Sequence, residues 1–248
     1  MDSKYRVPAL EKADAVLQAV SEAPYRLRLI DLSVKLGIHK SSLYSLLLTM
    51  ESLQWVAKDG ADTYALGPGL GRLGSMYANS HDLIGAFGRE AARVADTLGE
   101  ALQLGRLEGT EVLYLAKREV PSPIRLASGP GMKFPAHATG LGKALLSGLP
   151  PERLRALYAA AELTPLTPQT IASREALFAE VEEAARNGFA EDREESVIGF
   201  CCVAAPIKNG EGETVAAVSC SMPSHVWERK RERAREEMVK LAARLTVF

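Results

Sequence analysis

The sequence predicts an α+β protein built in two parts. Residues 1–67 hold three closely spaced amphipathic helices and then a short hairpin. Residues 81–248 interleave strands with helices, the pattern of an antiparallel sheet with helices packed on it. With 47% hydrophobic and 25% charged residues over 248 positions, the chain is a globular mixture able to bury more than one core.

Leu10, Ala13, Val16, Leu17 and Val20 recur at intervals of three and four, so residues 8–23 form a helix that Pro24 stops. Leu29, Leu32 and Leu36 mark a second helix, which Gly37 ends in the left-handed conformation. A third helix follows with Leu43, Leu46, Leu47, Met50 and Leu53 on one stripe and Lys40, Ser42, Tyr44, Ser45 and Thr49 on the other face. Trp55–Lys58 and Thr63–Leu66 flank a Gly/Asp-rich turn and read as a hairpin. This is the order of a winged helix-turn-helix. The third helix can lie in a major groove, and the wing can reach phosphates. A helical domain that binds protein is the alternative. The chain carries 30 Lys+Arg against 31 Asp+Glu, which excludes a polycation, and residues 1–80 hold nine basic and eight acidic side chains. A nucleic-acid contact would therefore have to gather Arg26, Arg28, Lys40 and Lys58 on one side.

Residues 69–74 match G-x-G-x-x-G, but Pro68 and a short wing strand precede them instead of a buried strand. A segment packing closely on a helix fits better than a dinucleotide loop. A helix from His81 to about Leu98 follows, with Leu83, Phe87, Val94 and Leu98 among its apolar positions. Ala101–Leu107, Val112–Arg118 and Ile124–Ala127 read as strands, the first two joined at Gly109-Thr110, and residues 129–136 as a loop. His137–Ser147, Glu152–Ala161 and Arg174–Asn187 read as helices, the last closed by Gly188. Strands return at Phe189–Asp192, Phe200–Lys208 and Thr214–Ser221, before a final helix over Ser224–Leu245. Its run Glu228–Glu237, with five basic and four acidic residues, reads as a solvated face.

Several chemistries are disfavoured. No G-x-S-x-G nucleophile elbow occurs, and Gly142-Lys143 lacks the rest of a P-loop. His39, His81, His137, His225 and the cysteines show no metal-ligand spacing, so neither metal nor cofactor is expected. Cys201, Cys202 and Cys220 are too few for a disulfide scaffold and are expected free; Cys201 and Cys202 point to opposite faces of a strand. His137 suits capping or packing better than catalysis. No apolar run is long enough to span a bilayer, and Met1–Arg6 lacks a signal-peptide core, so a cytoplasmic chain with no membrane partner is expected.

Six segments in order resemble the IclR-type transcriptional regulators, the isocitrate lyase regulator family. They are Val7–Ala13, Leu36–Tyr44, Tyr64–Pro68, Pro135–Ala144, Gly188–Glu195 and Gly199–Ile207. The resemblance spans nearly the whole chain. It implies a winged helix-turn-helix over residues 1–67, a linker helix over 68–80, and a GAF-like effector-binding and oligomerisation domain over 81–248. The implied partners are a double-stranded DNA operator, a small-molecule effector such as a carboxylate-bearing metabolite or aromatic acid, and further copies of the chain as a homodimer or homotetramer. DNA contacts would fall on Arg26, Arg28, His39, Lys40, Ser41, Ser42, Tyr44, Ser45, Thr49 and Lys58. Ser45 stands where the family often carries Arg, and Ser42 where Thr is usual, which puts the target sequence in question more than the fold. The resemblance places effector contacts on Gly140, Leu141, Asp192, Cys202, Ser219 and Ser221. If Ile207 pairs with Thr214, Cys202 lies opposite Ser219, and Cys202, Ser219 and Ser221 share one sheet face; a one-residue slip would bring Cys220 there instead. Asp192 would repel a carboxylate unless it accepts from a ligand hydroxyl. Local hydrogen bonding within the sheet is the bland alternative for these residues, and a small-molecule hydrolase using Cys202 and His137 is the alternative function.

Overall fold

A computed structural model describes residues 7–80, 82–121 and 126–246. The chain divides into two compact units, residues 1–80 and 81–248. In the first, α1 (Pro8–Glu22), α2 (Leu29–Leu36) and α3 (Lys40–Ser52) pack around Val16, Val20, Leu32, Leu43, Leu47 and Met50. The apolar stripes are narrower than the spacing predicts, since Leu10 and Leu53 are exposed. Arg28 N–H donates to the Asp31 carboxylate at the start of α2, and Gly37 ends that helix at φ +64°. Three residues then turn the chain into α3, with buried Ile38 anchoring the turn and Ser33 Oγ donating to its carbonyl at 2.7 Å.

The hairpin forms between β2 (Val56–Lys58) and β3 (Thr63–Leu66). A two-residue strand, β1 (Leu27–Arg28), adds to the far edge of β3; it is too short to show periodicity. Helix α4 (Pro68–Ser80) starts with Pro68 in its first turn, a position that tolerates the missing N–H. Gly67 just before it and Gly69 in its first turn serve packing. A Cβ on Gly67 would lie 2.3 Å from the Gln54 carbonyl oxygen, and one on Gly69 2.7 Å from it.

The second unit is built on a six-stranded antiparallel sheet ordered β6-β5-β4-β9-β8-β7. Its strands are β4 (Ala101–Glu108), β5 (Glu111–Arg118), β6 (Lys133–Pro135), β7 (Ala190–Arg193), β8 (Phe200–Lys208) and β9 (Thr214–Pro223). Helices α5 (Asp82–Leu98) and α9 (Ser224–Leu245) cover one face through Phe87, Trp227, Met238 and Leu241. Helices α6 (Gly140–Leu146), α7 (Pro151–Leu157) and α8 (Arg174–Asn187) lie over the other. Alternation along the strands divides the two cores: Cys201, Val203, Ala205 and Ile207 face the first, whereas Ala204 and Ala217 face the second.

Several expectations are corrected. Lys133–Pro135 is an edge strand inside the expected loop, and Leu126 and Ala127 form no strand; Ile124 and Arg125 lie outside the described residues, as does the expected helix start at His81. His137 belongs to a 3-10 turn over Ala136–Ala138, and α6 begins only at Gly140, after Thr139 caps it by accepting from Gly142 N–H at 3.0 Å. Helix α7 is shorter than expected, ending at Leu157. The β8–β9 register is displaced by two residues: Lys208, not Ile207, pairs with Thr214, and an irregularity beside it sets Cys202 opposite Ser221 and Ala204 opposite Ser219. A shift of two preserves sidedness, so Cys202, Ser219 and Ser221 still share a face. The charged run on α9 is only partly solvated, because Lys230 pairs with Glu100 and Arg235 with Glu191.

Candidate nucleic-acid interface and ligand cavity

In the first unit, His39, Lys40, Ser41, Ser42, Tyr44, Ser45 and Thr49 are all exposed at the start of α3 and along its outer side, as are Arg26 and Arg28 before α2. Packing decides this arrangement, since Leu43, Leu47 and Met50 occupy the inner face. Ser45 Oγ donates to the Ser41 carbonyl and Thr49 Oγ1 to the Ser45 carbonyl, so both hydroxyl hydrogens are engaged within the helix. Lys58, on the wing, is exposed but paired with Asp62 at 2.5 Å, and the hydrogen bond to Asp62 holds its ammonium above the usual range. Sequence spacing did not single out Leu48, which lies 47% exposed on the same outer side.

In the second unit, the face of the sheet under α6 carries a cavity of about 80 Å³. Gly140, Leu141, Asp192, Cys202 and Ser221 line it, together with Gln103, Tyr114, Phe134, Ser196 and Val197. Ser219 does not line it. That residue is fully buried one row behind, its hydroxyl donating to Gln103 Oε1 at 3.5 Å. Ser221 Oγ donates to the same oxygen at 3.3 Å, and Gln103 Nε2 donates to Ser128 Oγ at 2.5 Å. Gly140 brings the start of α6 close to the thiol: a Cβ there would lie 3.1 Å from Cys202 Sγ and would press on it. Burial pushes the Cys202 thiol up to about 12.

Asp192 accepts from Glu195 N–H at 2.7 Å and from Ser196 Oγ at 2.5 Å, pinning the loop after β7 against the cavity. Burial, reinforced by the charge of Glu195, raises its carboxyl to about 6. Behind this loop Lys143, 1% exposed, donates to both Glu195 oxygens at 2.7 and 2.9 Å and to Glu180 at 3.0 Å. Burial alone would lower that ammonium; the charge and hydrogen bonds of Glu195 and Glu180 override it and hold it above its usual value. His137 lies apart, with Nε2 against the Thr164 carbonyl at 3.2 Å and its imidazolium disfavoured by burial. Cys202 and His137 are not brought together. The three cysteines are free and buried. Among the described residues no cluster of His, Cys, Asp and Glu could hold a metal, and no helix is long and apolar enough to cross a membrane.

Residues 9–60 match the IclR helix-turn-helix domain, and residues 75–246 match the bacterial transcriptional regulator IclR C-terminal domain. The chain belongs to the IclR family of transcriptional regulators. This IclR-family chain is 30% identical to the transcriptional repressor AllR of Escherichia coli K12 over 237 residues, 95% of its own length and 88% of that repressor. It is 32% identical to the regulator XynR of the same strain over 234 residues, covering 94% and 93%. The crystal structure of Thermotoga maritima IclR superposes with a TM-score of 0.81 at 27% identity, covering 97% of this chain and 98% of that one. An IclR homologue from Microbacterium hydrocarbonoxydans, complexed with 4-hydroxybenzoate, shares the fold with a TM-score of 0.85 at 22% identity, covering 96% and 97%. The family consists of DNA-binding regulators, not enzymes, so the hydrolase reading falls.

The IclR-family regulator thus has two candidate sites, one in each unit. Sequence reasoning missed Gln103, Tyr114 and Ser196 in the cavity. Ser196 sits four residues from Asp192 and was within reach of local reasoning. Gln103 enters only because β4 pairs with β9, across more than 100 residues of chain.

Proposed function

We propose that this regulator binds a two-fold operator as a cytoplasmic homodimer or homotetramer, α3 entering the major groove, and that a compact acid held in the cavity shifts its DNA affinity. The first unit ends at residue 80 as linker helix α4, and residues 81–248 sense the effector. The observation that carries the reading is the ring of Gly140, Leu141, Asp192, Cys202 and Ser221 around one small void on the sheet face. A void of about 150 Å³ takes a benzene ring, so the present volume favours an acid of about two to four carbons over an aromatic one. A hydroxyl on that acid would donate to Asp192, which otherwise repels a carboxylate. Lys117 stands opposite Gln103 in register, but its ammonium is already held by the Glu119 carboxylate and the Leu126 carbonyl, each at 2.9 Å, so the carboxylate of such an acid would rest on the neutral donors of the cavity.

The effector acts by population shift, binding one arrangement of the oligomer better than the other. A thermal-shift screen of small keto, hydroxy and aromatic acids finds the ligand. Fluorescence anisotropy on operator DNA then measures coupling in the parent, Asp192→Ala and Ser221→Ala. Each variant should lose about 0.5–3 kcal/mol of effector affinity and its DNA response at parental effector concentrations, with ligand-free DNA affinity unchanged. Folded variants that respond like the parent would place the effector elsewhere.

A further inference from the structure

We propose that Leu48 reads the 5-methyl group of thymine in the major groove, and that operator choice by this chain depends on those methyls. The inference rests on the reading that α3 enters the groove, and it deepens that reading.

An exposed leucine means little alone; its position carries the argument. Leu48 lies seven residues after Ser41, four after Tyr44, three after Ser45 and four before Ser52, so helical geometry sets it at the centre of the outer face. Leu43, Leu47 and Met50 take the opposite, buried face. Tyr44, 55% exposed, is its neighbour one turn back, so the two make an apolar strip among hydroxyls. Those hydroxyls are constrained. Ser45, Thr49 and Ser52 donate to the carbonyls of Ser41, Ser45 and Thr49 at 3.2, 3.0 and 2.7 Å, which leaves them able only to accept. Helix α3 also contains no Arg, Asn or Gln, the side chains that read guanine or adenine by paired hydrogen bonds, and its one cation, Lys40, stands at its first position. The base-edge feature an aliphatic side chain distinguishes in the major groove is the thymine methyl.

The test uses the full chain. Duplexes selected from a randomised pool give a preferred site, and each thymine in it is replaced in turn by deoxyuridine, which removes only the methyl. Burying one such carbon contributes about 0.8 kcal/mol, so the parent should bind at least one replaced site about fourfold more weakly. Leu48→Ala should bind the thymine and uracil forms of that site equally, while Leu10→Ala, at an exposed leucine on α1, keeps the parental ratio. Circular dichroism checks that the variants fold. A parent indifferent to every replacement, or a Leu48→Ala chain that keeps the ratio, overturns the proposal. So does a parent that selects no sequence, or a Leu48→Ala variant that changes oligomeric state by light scattering without changing the ratio, which would assign the side chain to a protein contact. If Lys40→Ala and Tyr44→Ala both leave DNA affinity untouched, the groove reading itself fails; if they weaken it while Leu48→Ala keeps the ratio, only the methyl reading does.

Discussion

At the scale of single residues, Asp192 joins two roles through one environment. Its carboxyl faces the cavity and also holds the Glu195 and Ser196 end of the neighbouring loop. Its folded value of about 6 lies above the unfolded one, so the stability it contributes is fully present below about pH 4 and is lost as pH rises through 6. Relative to Asp192→Asn, the parent should lose about 3 kcal/mol as pH rises between those limits, and urea midpoints measured from pH 4 to 7.5 check this. Parallel curves for the two proteins would show that Asp192 titrates normally. Residue types exposed this site only in part. Cys202 and Ser221 sit on strands whose alternation fixes their face, and an error of two in register left that face unchanged. Gln103 and Tyr114 carry no local mark, because only distant strand pairing brings them beside Asp192.

At the scale of elements, the wing behaves differently from what a lone lysine suggests. The turn between β2 and β3 carries Asp59 and Asp62, and the Asp59 carboxylate accepts from the N–H groups of Ala61 and Thr63, which folds the turn. Asp62 meanwhile engages Lys58. Asp62→Ala should therefore free a cation for phosphate, strengthening binding to all DNA sequences and steepening the dependence of log affinity on log salt by about 0.9. Salt titration of the parent and variant measures that slope; an unchanged slope would mean that the wing does not reach the backbone. Elements with local punctuation were legible: α8 runs between the Ser173 cap and Gly188, and α2 ends at Gly37. Elements made by distant pairing were not. β1 is two residues long, and β6 sits within a Gly/Pro-rich stretch and becomes a strand through its pairing with β5.

At the scale of the whole molecule, residues 1–80 and 81–248 have separate cores. Calorimetry should accordingly resolve two unfolding transitions, and a small acid bound in the cavity should raise only one of them. A single transition raised as a whole would show that the two cores unfold together. The buried Lys143–Glu195 pair bears on the molecule's history as well as its shape. Loss of Lys143 strands the buried Glu195 carboxylate, at a cost of about 3–5 kcal/mol, against a total stability of about 5–15 kcal/mol; loss of Glu195 leaves the buried ammonium only the half-exposed Glu180 at 3.0 Å. Replacing both with well-packed apolar residues is often neutral or better. Yet every path of single substitutions to that state passes through a chain in which Lys143 or Glu195 lacks its buried partner. The pair is an evolutionary ratchet, easier to inherit than to leave, and descendants of this chain have reason to keep it whether or not it remains the most stable solution.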